Sequence, residues 1–348
     1  MKSVSAPIWT SDTASAGPRP LWMIALAVVS IAAWQGVEHL VSNLPHPKAE
    51  QLHIAARLAK AAQAEIAQAK QKRELMQPAD IDPNRTGLIG PDWSETTTTI
   101  GEVQSKRTTT NPDLAAVIAR SLLSMNPPPG AAVAIVASGS FPGANIAAIS
   151  AVETLGLKPV IVSSLGSSMF GANDPEFGWL DMETAIRNAG IWHARTTAVV
   201  LGGESATAES LTGTGREMLI RTARRNGYEP IVADDLAELK RGVMKALSDA
   251  APEGPVALIN VGGSVLGIGT CLDAYGLPNG LIRKKLPCDR GVTGLIHDLA
   301  ARNVPVLHIL YIKRLALDWG LPYDPVPLPP AGANPRIYSR LPLSPDIQ

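Results

Sequence analysis

The chain has 348 residues, 45% hydrophobic and 18% charged, with 31 basic residues balancing 31 acidic ones. That length and apolar content suit one large or two modest domains with a substantial core. The zero formal charge removes any global drive toward nucleic acid, so no nucleic-acid partner is expected.

Residues 1–20, rich in Ser, Ala, Pro and Thr, are expected to form a disordered cytoplasmic tail. Leu21–Trp34 follows with no charge and only Ser30 as a polar side chain, and the run extends toward Val41. Residues 21–41 are therefore expected to cross the lipid bilayer once, with Trp22 and Trp34 at the interfaces and Lys2 and Arg19 holding the N-terminus in the cytoplasm. A buried core helix and a cleaved signal peptide are the competing readings, the second weakened by a poor cleavage site at Ala32-Ala33-Trp34-Gln35. The signal anchor is preferred, and it places the main domain outside the cytoplasm, on the cytoplasmic membrane. Residues 47–77 are nearly all strong helix formers with a loose stripe at Leu52, Ala56, Leu58, Ala62, Ile66 and Ala69. They are assigned as a helical stalk, a helix packed on the domain being the alternative.

Asp80–Pro112 changes texture, with threonines at 96–99 and 108–110. Hydroxyls beside Arg85, Lys106 and Arg107 suit a polar anionic ligand, while a surface loop or β-bonded excursion accounts for the same threonines by strand propensity. Asp113–Met125 reads as a helix. Ala131–Ala137 is then a short apolar strand, a helical pattern follows through Ile146, Ile149, Val152 and Leu155, and Pro159–Val162 is a second strand. Such a βαβ unit has parallel strands and a right-handed crossover. Helices at 176–189, 211–226, 236–247 and 292–302 alternate with strands at 197–201, 231–233, 256–261 and 306–311. The pattern predicts a doubly wound α/β domain with a mainly parallel sheet over 80–321, and a Pro-rich, extended tail over 322–348. Strand order cannot be read from it.

Three loops of small residues follow predicted strands, where ligands of α/β sheets sit. In the first, Ser138, Gly139 and Gly143 offer backbone amides and a helix start to a carboxylate or phosphate, and Ser140 is a candidate catalytic hydroxyl. The loop has neither the GxGxxG nor the GxSxG spacing. In the second, Gly202 and Gly203 precede Glu204, the best carboxylate for general acid or base work. In the third, Gly262, Gly263 and Ser264 open the most glycine-dense stretch. If these strands share a sheet, the three loops converge. Arg283, Lys284 and Lys285 form a basic cluster that is either a solvated face or a contact for an anionic ligand. His193, His297 and His308 lack metal-ligand spacing, so neither a metal nor a cofactor is expected, although His308 could serve catalysis with partners from distant loops. Cys271 and Cys288 are 17 positions apart without zinc or redox spacing, and one disulfide and two buried thiols both fit them.

Three segments, DPNRTGLIGPDWSETTTTIGEVQSKRTTTNP at 82–112, LGGESATAESLTGTG at 201–215 and LINVGGS at 258–264, resemble the poly-gamma-glutamate system protein family. The resemblance implies a membrane-anchored accessory protein of poly-gamma-glutamate synthesis, export or tethering. Its partner would be the polymer or the synthase membrane complex. The alternative is an extracytoplasmic amide hydrolase or transferase that trims or attaches the polymer, with Ser140, Glu204 and His308 gathered in one cleft. The family brings no catalytic residue set with it.

Overall fold

The computed structural model describes residues 20–42, 44–203 and 211–343. In chain order, α1 (Pro20–Ser42) and α2 (Ala49–Lys72) precede β1 (Thr97–Thr99), α3 (Val103–Thr108) and α4 (Asp113–Leu123). The alternating part runs β2 (Ala132–Ser138), α5 (Pro142–Thr154), β3 (Lys158–Ser164), β4 (Ser167–Ser168), α6 (Trp179–Asn188), β5 (Thr196–Val200), α7 (Gly213–Arg225), α8 (Leu236–Ala250) and β6 (Ala257–Val261). It closes with α9 (Val265–Ile268), β7 (Gly280–Ile282), α10 (Leu295–Ala301), β8 (Val306–Ile309), α11 (Ile312–Trp319) and α12 (Pro335–Tyr338).

The main sheet has the order β5-β3-β2-β6-β8-β7. Its strands are parallel except β7, which runs antiparallel to β8, so the sheet is mixed. β2 lies in the middle, and its run of Val133, Ala134, Ile135, Val136 and Ala137 is buried on both faces. A continuous apolar run suits a central parallel strand covered by helices on each side. One face packs against α2, α4, α5 and α6, the other against α8, α9 and α10. The chain moves outward from β2 through β3 to β5, then returns to β6 on the opposite side of β2. At that reversal the crossovers diverge and leave a crevice beyond the carboxyl ends of β2 and β6.

The N-terminal half corrects the sequence reading. Among the described residues no helix is long and apolar enough to cross a membrane. The strictly apolar run Leu21–Trp34 inside α1 rises about 21 Å, against about 30 Å of hydrocarbon. The single-pass anchor at 21–41 is therefore withdrawn, and with it the lipid bilayer as a partner and the cytoplasmic-membrane location with an extracytoplasmic domain. The role as a membrane-anchored accessory of poly-gamma-glutamate synthesis, export or tethering goes too, as does contact with the polymer or its synthase complex, which nothing in the structure supports. The reading of 1–20 lies, apart from Pro20, outside the described residues.

Nor is there a stalk at 47–77. Leu52, Ala55, Ala56, Ala59, Ala62 and Ile66 of α2 are fully buried, and their small side chains let α2 lie close against α4 and α5. The far end of the chain closes the same layer: the Tyr338 ring stacks on His53 at 3.9 Å, and its hydroxyl donates to Asp113 at 2.6 Å. Residues 322–343 are thus tied into the domain. Ile231 makes only an isolated bridge to Val200 in place of the expected strand, while β7 was not foreseen because its three residues carry no periodicity.

Candidate functional site: a serine-lined cleft over a buried lysine

A cleft of about 320 Å³ opens at the β2/β6 reversal. Ser138 and Ser140 come from the end of β2, Ser164 and Ser168 from the end of β3 and from β4, and Gly263 and Ser264 from the loop after β6. Its other wall is the threonine segment, through Thr98, Thr99 and Lys106. That wall stays in place because β1 pairs in parallel with β4, Thr97 opposite Ser167. Asn173 reinforces it, donating to Thr97 Oγ1 at 2.9 Å and accepting from Thr96 Oγ1 on its carbonyl at 2.9 Å.

Lys106 enters the cleft from α3. The hydroxyls of Thr108, Thr109 and Thr110 bond back to the carbonyls of Gln104, Lys106 and Arg107, each at 2.7 Å, and so close the helix end. Arg107 forks onto Asp324, 2.6 Å from Nε to Oδ1 and 2.5 Å from Nη2 to Oδ2, which fixes α3 to the C-terminal segment. Gly143 brings α5 against the same turn: a Cβ there would meet the Thr109 carbonyl oxygen at 2.6 Å.

The Lys106 amine is 3% exposed as a residue and sits 3.7 Å from the Phe141 ring centroid. It donates to the Ser140 carbonyl at 2.8 Å and lies 2.6 Å from Ser168 Oγ. Among the described residues no carboxylate pairs with it. Burial pushes this amine down to about 7, since a charged ammonium loses its hydration and gains no counter-ion. The ammonium donates to Ser168 Oγ at that distance, and the deprotonated amine can accept a hydrogen bond from the same hydroxyl. The Ser168 amide in turn donates to Ser140 Oγ at 3.0 Å, which fixes the two serines relative to each other. Ser164 Oγ and Ser264 Oγ, both from cleft-lining residues, are buried and have no hydrogen-bond partner among the described residues.

The residues singled out from sequence divide between the cleft and its frame. Ser138, Ser140, Gly203, Gly263 and Ser264 line the cleft. Gly139 donates its amide to the Ser164 carbonyl at 2.8 Å and packs on Leu165. Gly202 and Gly262, at φ +82 and +85, let the strand ends pass Ser164 and Ser138 closely. Glu204 lies outside the described residues. His308 is buried within β8, where Asn260 Nδ2 stands 3.1 Å from its Nδ1; it does not line the cleft. Arg283, Lys284 and Lys285 are exposed after β7, and Arg283 reaches Ser124. Cys271 and Cys288 form a disulfide, which decides the pairing that sequence left open. Ser164 and Ser168 were missed. The signal was available in Ser163-Ser164-Leu165-Gly166-Ser167-Ser168, a fourth small-residue loop directly after a strand.

Compared with known proteins, the chain matches no family model, no curated protein and no solved structure. The family resemblance therefore rests on the three motif segments alone.

Proposed function

We propose that the cleft is a serine–lysine acyl-transfer site that hydrolyses an amide or ester. The observation carrying the proposal is the buried Lys106 amine, brought near neutral pH by desolvation and held 2.6 Å from Ser168 Oγ. Lys106 Nζ takes the Ser168 proton as Oγ bonds to the substrate carbonyl carbon and the C=O electron pair moves onto oxygen. When the tetrahedral centre collapses, the bond to the leaving amine or alcohol breaks and that group takes the proton from Lys106. Water repeats the sequence on the acyl-enzyme, releasing the acid and restoring Ser168. The unpartnered Ser164 and Ser264 hydroxyls are the candidates to hydrogen-bond the developing oxyanion.

Membership of the poly-gamma-glutamate system protein family belongs to the same proposal, as a relationship of sequence alone. In its support, each segment that carries the resemblance reaches this cleft: 82–112 through Thr98, Thr99 and Lys106, 201–215 through Gly203, and 258–264 through Gly263 and Ser264.

The test is hydrolysis of 4-nitrophenyl propionate by the full chain, with a fluorophosphonate probe and peptide mapping to find the labelled residue. Label on Ser168, lost in Lys106→Met, is the expected result. Turnover that survives both Ser168→Ala and Lys106→Met would overturn the assignment.

A further inference from the structure

Glu102 is the one carboxylate lining the cleft among the described residues, and Lys106 is the one base. Glu102 Oε2 accepts from Ser105 Oγ at 2.6 Å and from the Tyr323 hydroxyl at 2.7 Å. These bonds, Ser105 first and then Tyr323, hold its carboxyl below the usual glutamate value, with a further push from the Lys313 charge, so it is an anion at neutral pH. No ion pair neutralises it among the described residues: Lys313 Nζ lies over the far ring of Tyr323, 5.7 Å from its centroid. Oε1 carries no hydrogen bond among the described residues. The side chain is thus oriented by two donors on one oxygen while the other stays open.

The charge of the cleft decides what it accepts. Where Lys106 has given up its proton, the described part of the lining carries one negative charge, from Glu102, among uncharged hydroxyl, glycine, aromatic and aliphatic groups. A substrate with a free carboxylate would meet that charge unfavourably. A substrate with an ammonium group would gain a charge-assisted hydrogen bond on an acceptor already fixed in place.

Resting on the acyl-transfer reading above, we infer that Glu102 selects substrates whose acyl part bears an ammonium group, that is, aminoacyl amides and esters over their uncharged or carboxylated counterparts.

Two near-isosteric substrates test this with the full chain: alanine 4-nitroanilide, with its ammonium group, and propionic acid 4-nitroanilide, without it. Glu102 is exposed, so wild-type kcat/KM is expected to be about three- to fivefold higher for the alanyl substrate, and Glu102→Gln to bring the ratio toward one. Glu102→Asp, which keeps the charge on a shorter arm, should retain part of the preference and so separate a charge effect from a folding defect. Calorimetric binding of alaninamide against propionamide reads the same preference without turnover. An equal or reversed preference in the wild type, or a ratio untouched by Glu102→Gln, overturns the inference. Amine-selective binding without Ser168-dependent turnover would instead keep the inference and remove the acyl-transfer reading beneath it.

Discussion

Lys106 Nζ and Ser168 Oγ lie 2.6 Å apart across 62 residues of sequence, and among the described residues the lysine's other hydrogen-bond partner is the Ser140 carbonyl. Burial without a carboxylate partner among the described residues pushes this amine down to about 7, although the carbonyl and the Phe141 ring beside it favour the charged form.

The two serines beside the lysine should separate by variant. Ser168→Ala removes the proposed nucleophile and should lower kcat for 4-nitrophenyl propionate by about 10³-fold or more. Ser140→Ala removes only the acceptor for the Ser168 amide. It should cost about tenfold, mostly in kcat, because loss of a positioning bond leaves attack possible. Steady-state kinetics on both variants reads the difference, and equal losses would make Ser140 a partner in the chemistry.

Acidity should follow the lysine. If the neutral amine is the base, kcat/KM climbs with pH and levels off above about 7. Stability carries the same group with a definite sign. Its folded value is depressed from 10.5 to about 7, so between those values the unfolded chain binds the extra proton, and folding gains stability as pH rises across that window. Lys106→Met should flatten this slope in urea titrations between pH 7 and 10.5, an effect on the order of a few kcal/mol.

His308 should write an acid limb of its own. Burial pushes it down to about 4, opposed by the bond to Asn260, so between 4 and 6.5 only the unfolded chain holds the proton. Stability is full above about 6.5 and declines by about 3 kcal/mol as pH falls to 4. Melting temperatures of the wild type and His308→Gln across that range should diverge, the variant losing the steeper part.

Reduction of Cys271–Cys288 should loosen both fold and cleft. The bond closes a 17-residue separation, worth about 3 kcal/mol in chain entropy, and the closed segment carries Tyr275 on the cleft wall. Calorimetry with and without reductant should show a lower melting temperature, and KM should rise while the pH dependence of kcat stays unchanged.

Much of the α/β body was legible from local pattern. The first βαβ unit is readable because Ala131–Ala137 is a strand-length apolar run, stopped by a small-residue loop and followed by helical spacing. The threonine segment drew attention with Lys106 inside it, but as an anion contact, because sequence displays a lysine's charge and hides its burial. The error at the N-terminus has the same root. α2 reads as a stalk or as a packed helix from its composition alone, and only the presence of α4 and α5 against its alanine face decides for packing.

The alternation of strands and helices, and the small residues that end the strands, were set by the sequence itself, since backbone propensity and apolar spacing act over a few neighbouring residues. The tertiary structure alone decided the reversal of strand order between β2 and β6, the pairing of β1 with β4, and the meeting of Lys106 with Ser168. Those depend on which distant surfaces bury each other. The same burial, by stripping water from one amine, changes a surface cation into a base.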